Sequence, residues 1–117
     1  MKILETLGAQ GEVRVYRIDS IPANATPMKK ERGMWIIGHS ETQHDHVLEA
    51  KRVQVFEAEK APEGMRILYA LLESPGELKH MRGHDTHAPH AFDPGIYMFR
   101  TDREYDPYAE LARRVAD

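Results

Sequence analysis

The chain has 117 residues, a formal net charge of −3 and no cysteine, and 41% of its residues are hydrophobic. A chain of this length builds one hydrophobic core, so we expect a single domain over residues 1–117. The lack of cysteine excludes disulfides, thiolate zinc sites and iron–sulfur clusters. Any metal site must therefore use histidine, aspartate and glutamate.

Charge and hydropathy exclude two classes of partner. Basic residues are scattered and form no run longer than two, whereas nucleic-acid binding relies on clustered cations. No apolar run approaches the roughly 18 residues of a membrane span. The start, M-K-I-L-E-T-L, lacks the basic and apolar regions of a secretory signal. We predict a soluble, cytoplasmic protein that binds neither nucleic acid nor membrane.

Short apolar stretches between turn residues predict a β protein. Residues 12–18 place Val13 and Val15 in alternation with charged residues, a pattern typical of a half-buried strand. Residues 19–33 contain two prolines and end at a glycine without any period, which predicts a surface loop. Residues 34–37, M-W-I-I, predict a buried strand that ends at Gly38, directly before His39.

The rest of the chain repeats this alternation of strands and turns. Further strands are predicted at residues 44–49, 51–57, 65–72 and 96–99. The first two of them fit an antiparallel pair. Residues 65–72 also suit a helix, but the short length favours a strand. Residues 107–115 are predicted as a short helix or an irregular tail. The fold class is therefore mainly β, a single small β-barrel or β-sandwich with at most one short C-terminal helix.

Histidines provide the main functional signal because they fall into two windows. The windows contain His39, His44 and His46, and then His80, His84, His87 and His90. Positions i and i+2 of a strand face the same side, so His44 and His46 can bind one ion together. The alternative is a pair of exposed histidines on a solvated strand face.

The predicted metal site takes its remaining ligands from other histidines. His39, His84 or His87 completes the shell around a divalent zinc, nickel, iron or manganese ion. Three nitrogen ligands leave a position for water, with Glu41 or Glu49 as a candidate general base. His80 and His90 are interpreted as surface or hydrogen-bonded residues. The sequence leaves open whether the protein is an enzyme.

Two resemblances rest on these motifs. The spacing of Gly38 from the His44-x-His46 pair resembles the opening of the first cupin motif, which implies a metal inside a β-barrel. The longer pattern resembles a family of small uncharacterised proteins from bacteria and their phages. The shared motifs are G-H-S-E-T-x-H-x-H at 38–46, D-T-H-x-P at 85–89, P-G-x-Y at 94–97 and R-E-Y at 103–105. This resemblance implies no activity.

Two other functions also fit the sequence. One is a non-enzymatic, phage-related assembly protein, a homo-oligomer whose strands pair with a copy of themselves and whose histidines line the interface. The other is a regulatory binder of a partner protein, which would use the acidic and aromatic residues of segment 102–108. Metal binding is the first hypothesis of the three.

Overall fold

A computed structural model describes residues 3–10, 13–38, 46–62, 64–80 and 90–102. These residues form ten strands, with no helix among them: β1 Ile3–Gln10, β2 Val13–Ile18, β3 Thr26–Pro27, β4 Trp35–Gly38, β5 His46–Ala50, β6 Val53–Glu57, β7 Met65–Leu72, β8 Gly76–His80, β9 His90–Phe92 and β10 Gly95–Asp102. The mainly β prediction is confirmed. The predicted helix at 107–115 lies outside the described residues.

The strands form two antiparallel sheets. The larger sheet has six strands in the order β1-β2-β10-β7-β6-β3, and the smaller has four in the order β4-β5-β8-β9. Within the described ranges neither sheet closes into a barrel, so of the two predicted architectures the sandwich is the one compatible with this topology. Among the described strands, this open order leaves β1, β3, β4 and β9 at the sheet edges.

The main core lies between the two sheets. It is built from side chains of β2 and of β4 to β10: Val13, Val15, Ile37, Leu48, Val55, Leu68, Ala70, Leu72, Leu78, Phe92, Tyr97 and Phe99. The Phe92 ring of the small sheet lies 5.1 Å from the Tyr97 ring and 6.0 Å from the Phe99 ring of the large sheet, centroid to centroid. Complete burial of a side chain of this size stabilises the fold by about 1.5–3 kcal/mol.

A second apolar cluster covers the outer face of the large sheet. Its buried members are Ile18, Tyr69 and Met98, and Ile21 and Ala25 pack against them from the segment after β2. The residues predicted as a surface loop therefore cover a sheet face, and Thr26–Pro27 within them adds the edge strand β3 beside β6. The central strands are apolar on both faces because both faces are covered.

Two of the corners at which the chain passes between the sheets, β5 to β6 and β7 to β8, are adjacent. We expected residues 44–49 and 51–57 to pair with each other, but β5 pairs with β4 and β8 whereas β6 pairs with β3 and β7. The expectation was wrong because the turn at Lys51 and Arg52 changes sheet. The backbone N–H of Arg52 donates to the Ser74 hydroxyl at 2.9 Å, and the N–H of Glu73 donates to the Arg52 carbonyl at 2.9 Å.

The strand β1 was not predicted. Its sequence, I-L-E-T-L-G-A-Q, has no regular alternation of apolar and polar residues. The pairing of β1 with β2 is correspondingly irregular, since its register shifts between Ile3 and Glu5 and again between Thr6 and Gly8. A strand with such bulges gives a weak period-two signal.

Candidate functional site

The structure describes one of the five predicted metal ligands, His46. The other four, His39, His44, His84 and His87, lie outside the described residues, as does Glu41. Whether these side chains meet at one point stays a prediction.

His46 is buried at one end of the small sheet. It is the first residue of β5, and only 6% of it is exposed. Leu48, two residues further on, belongs to the main core, so both residues face the large sheet. The alternative interpretation, an exposed histidine on a solvated strand face, is wrong for His46.

Residues of both sheets surround the His46 imidazole. Gly38 is its register partner on β4, and a Cβ added to Gly38 would lie 3.5 Å from His46 Cδ2. The same Cβ would lie 3.0 Å from Val13 Cγ2 and 3.5 Å from Thr101 Cγ2. The Thr101 hydroxyl also donates to the Ile37 carbonyl at 3.3 Å. The imidazole therefore lies where β2 and β10 approach the small sheet.

Both histidine-bearing segments are attached at this end of the sheet. Residues 39–45 connect Gly38 to His46, and residues 81–89 connect His80 to His90. His46 and His80 are direct partners in the register of β5 and β8. The chain therefore enters and leaves the two segments at neighbouring backbone positions.

Two histidines that the sequence analysis placed outside the site occupy positions on the next two strands of the small sheet. The backbone of His80 lies opposite His46, and that of His90 lies opposite Leu78 on β8. The spacing of two between Leu78 and His80 was visible in the sequence. The pairing of β8 with β5 was not, because it joins residues about thirty positions apart.

Glu49 does not belong to this end of the sheet. Its position is three residues after His46, which places it on the other face of β5, and it is exposed. Its carboxylate lies 2.8 Å from the Lys79 ammonium. The hydrogen bond and the negative charge of Glu49 raise the pKa of Lys79. Glu49 is therefore the surface partner of a lysine, and its candidacy as a general base at the histidine site is wrong.

A pocket of about 640 Å³ lies at the other end of the small sheet. Its lining residues are Glu49, Ala50, Lys51, Pro75, Gly76, Glu77, Ala91, Phe92 and Asp93. Ala50 ends β5 whereas His46 begins it, so the pocket is separated from His46 by about 13 Å of strand. The pocket and the histidine site are distinct.

The described residues by themselves hold no complete metal site. No group of three or more histidine, aspartate or glutamate side chains among them is arranged to hold an ion. A complete shell would need ligands from outside the described ranges. Nor does any helix in the described part of the chain have the length and apolar character needed to cross a membrane.

These features define a two-sheet antiparallel β protein with a histidine buried at one end of its core. Residues 9–102 match the family described as a domain of unknown function (DUF8820), and the chain belongs to that family. The match extends from the end of β1 to the last residue of β10. No curated protein and no solved structure matches the chain. Membership of an uncharacterised family agrees with the resemblance drawn from the sequence.

Proposed function

We propose that the protein binds a divalent transition-metal ion through His46 and histidines of the two segments attached beside it. The ligands in this proposal are His46 and His44, completed by His39, His84 or His87. The observation that supports it is the burial of His46 at the sheet end from which both segments leave.

The chemistry of imidazole suits a transition-metal ion. Neutral imidazole is the commonest protein metal ligand. A site made of imidazoles suits zinc, nickel or iron better than magnesium or calcium, which prefer oxygen. In a chain without cysteine, the nitrogen ligands of these histidines are the strongest available.

The proposed activity is the binding of a metal ion, without a reaction. Three imidazoles would leave a coordination position for water, which is the arrangement of many catalytic zinc sites. Glu49, however, pairs with Lys79 on the opposite face of β5, so it cannot serve as the base. No reaction follows from the described residues, and the proposed activity is metal binding.

The direct test is the metal content of protein purified without a histidine tag. We expect one retained Zn²⁺ per chain in the wild type after dialysis against metal-free buffer. The His44→Ala, His46→Ala double variant should retain none. Lys79→Ala is the matched control, because Lys79 lies on the neighbouring strand with its side chain on the outer face. A wild type that retains no added metal would disprove the proposal.

Self-assembly is a second candidate function, and one observation favours it. The eight-residue strand β1 is at the edge of the large sheet, and β2 is its only partner among the described strands. An edge strand presents unpaired N–H and C=O groups to which a second copy can add. Light scattering over a range of concentrations tests this. A monomer at every concentration would eliminate the assembly function and leave metal binding unaffected.

A further inference from the structure

A basic hairpin lies in the segment that connects β3 to β4. The backbone N–H groups of Glu31 and Met34 each donate to the carbonyl of the other, at 2.8 and 2.9 Å, so Arg32 and Gly33 form a two-residue turn. Residues 29–33 are all exposed, and three of them are cations. They form a local excess of positive charge in a chain whose acidic residues outnumber its basic ones.

Two local features hold the basic hairpin in place. Arg32 has a φ of 51° and Gly33 a φ of 75°, the left-handed values that a tight two-residue hairpin needs. A residue other than glycine is uncommon in this region, and such residues cluster where proteins clamp ligands. At the base, Trp35 packs against the main core, and the Lys30 ammonium lies 5.8 Å from its ring centroid, within reach of cation–π attraction. The cations are therefore presented on a fixed support.

The pocket at the end of the small sheet carries the opposite charge. Its lining includes the carboxylates of Glu49, Glu77 and Asp93 and one ammonium, that of Lys51. Glu49 and Glu77 share the Lys79 ammonium, at 2.8 and 3.9 Å. The lining is therefore acidic overall.

Asp93 is the carboxylate of this pocket that is most available to a partner. In the described part of the chain it has no ion pair, and it is exposed. The buried Tyr97 hydroxyl donates to the backbone carbonyl of Asp93 at 2.5 Å. Pro94, the next residue, restricts the backbone further. The position of this carboxylate is thus set before any partner arrives.

The basic hairpin and the acidic pocket lie at the same end of the small sheet. β4 is antiparallel to β5, with Trp35 opposite Leu48. The chain that precedes Trp35 therefore lies towards the end of β5, where residues 49–51 line the pocket. A contact across a two-fold axis uses the same patch on both copies, which must be complementary to itself. A patch with one basic and one acidic half meets that requirement.

We infer that two copies of this chain associate through this end of the small sheet, with the basic hairpin of each in the acidic pocket of the other. The pocket, of about 640 Å³, has the size of pockets that accept a ligand. Complementary charge selects the partner and speeds the encounter, and surfaces that are already rigid lose little entropy on association. The inference does not depend on metal binding, and its surface differs from the edge strand β1.

The test is charge reversal with rescue, measured by sedimentation velocity. The hairpin variant is Lys29→Glu with Lys30→Glu, and the pocket variant is Glu77→Lys with Asp93→Lys. Each places like charges in both halves of the contact, so we expect the dimer dissociation constant to rise more than about tenfold. An equimolar mixture of the two variants should form a heterodimer, because every hairpin then meets a pocket of opposite charge. Lys60→Glu is the control, since Lys60 is exposed and lies beyond the far end of β6.

Several outcomes would overturn the inference. A wild type that stays monomeric would do so and leave metal binding unaffected. A dimer that persists in both variants, or a mixture that fails to form the heterodimer, would assign association to another surface such as β1.

If a variant loses its sheet by far-UV circular dichroism, cross-linking of the wild type decides the question. A carbodiimide joins a lysine amine to a neighbouring carboxylate. In a mixture of isotope-labelled and unlabelled chains, mass spectrometry should find Lys29 or Lys30 of one chain joined to Glu77 or Asp93 of the other. Cross-linked dimers without that link would refute the inference.

Discussion

The hydroxyl of Ser74 accepts a hydrogen bond from the backbone N–H of Arg52 at 2.9 Å. This bond joins two of the corners at which the chain passes between the sheets, one between β5 and β6 and the other between β7 and β8. In addition, the backbone N–H of Glu73 donates a hydrogen bond to the Arg52 carbonyl at 2.9 Å. The two corners are therefore one hydrogen-bonded unit between the sheets.

Replacement of Ser74 by alanine removes the acceptor for the Arg52 N–H. Ser74 is only 8% exposed, so water cannot readily replace it. We expect Ser74→Ala to lower the free energy of unfolding by about 1–3 kcal/mol, as measured by urea denaturation. Ser20→Ala is the control, since Ser20 is exposed and its hydroxyl donates to the adjacent Asp19 carboxylate. Equal stability of the two variants would show that the corner bond contributes nothing.

Gly76 is required at the same corner by close packing. A Cβ at this position would lie 2.8 Å from Leu72 Cδ2, 3.0 Å from the Glu49 carbonyl oxygen and 3.1 Å from Ala50 Cβ. We expect Gly76→Ala to destabilise the protein by about 1–3 kcal/mol, the usual cost of overpacking. Gly95→Ala is the control, because its nearest contact would be the end of the flexible Arg17 side chain at 3.4 Å. A thermal melt in which both variants unfold alike would contradict this prediction.

Burial raises the pKa of the Tyr69 hydroxyl above its ordinary value of 10.0. The unfolded chain therefore ionises at lower pH than the folded one, so the folded state binds more protons above pH 10. Stability that is fully present below that pH should fall as the pH rises through the folded-state pKa. The Tyr69→Phe variant should lose less stability over this range in urea denaturation. A steeper decline in the variant would reverse the predicted sign.

Metal binding should stabilise the native state. A ligand at a hundred times its dissociation constant raises the free energy of unfolding by about 2.7 kcal/mol. We expect Zn²⁺ to raise the Tm of the wild type and a chelator to reverse the increase. His46→Asn should show no increase, whereas Lys79→Ala should behave as the wild type. An equal rise in Tm in His46→Asn would place any bound ion elsewhere.

The sequence predicted those elements whose signal is local. The strand at 65–72 has the bounds of β7, and Val13 and Val15 face the core as their alternation indicated. Both predictions succeed because a half-buried or buried strand needs apolar residues at fixed short spacings. The presence of histidines in two windows was likewise a local fact, and it was enough to suggest metal chemistry.

The sequence did not predict which strands pair with each other. The two strands predicted as an antiparallel pair belong to different sheets. The sequence predicted a surface loop at residues 19–33, but Ile21 and Ala25 pack against the outer face of the large sheet. In each case the deciding contact is with residues distant in the chain, which local spacing does not specify.

By itself the sequence determined that this is a mainly β chain without thiol chemistry, and that imidazole is its strongest metal ligand. Only the tertiary structure decided that His46 is buried and that His80 is its neighbour, with Glu49 on the other face. The physical reason is that alternation fixes which residues of one strand share a face. Which strands lie side by side depends on the burial that the whole chain achieves together.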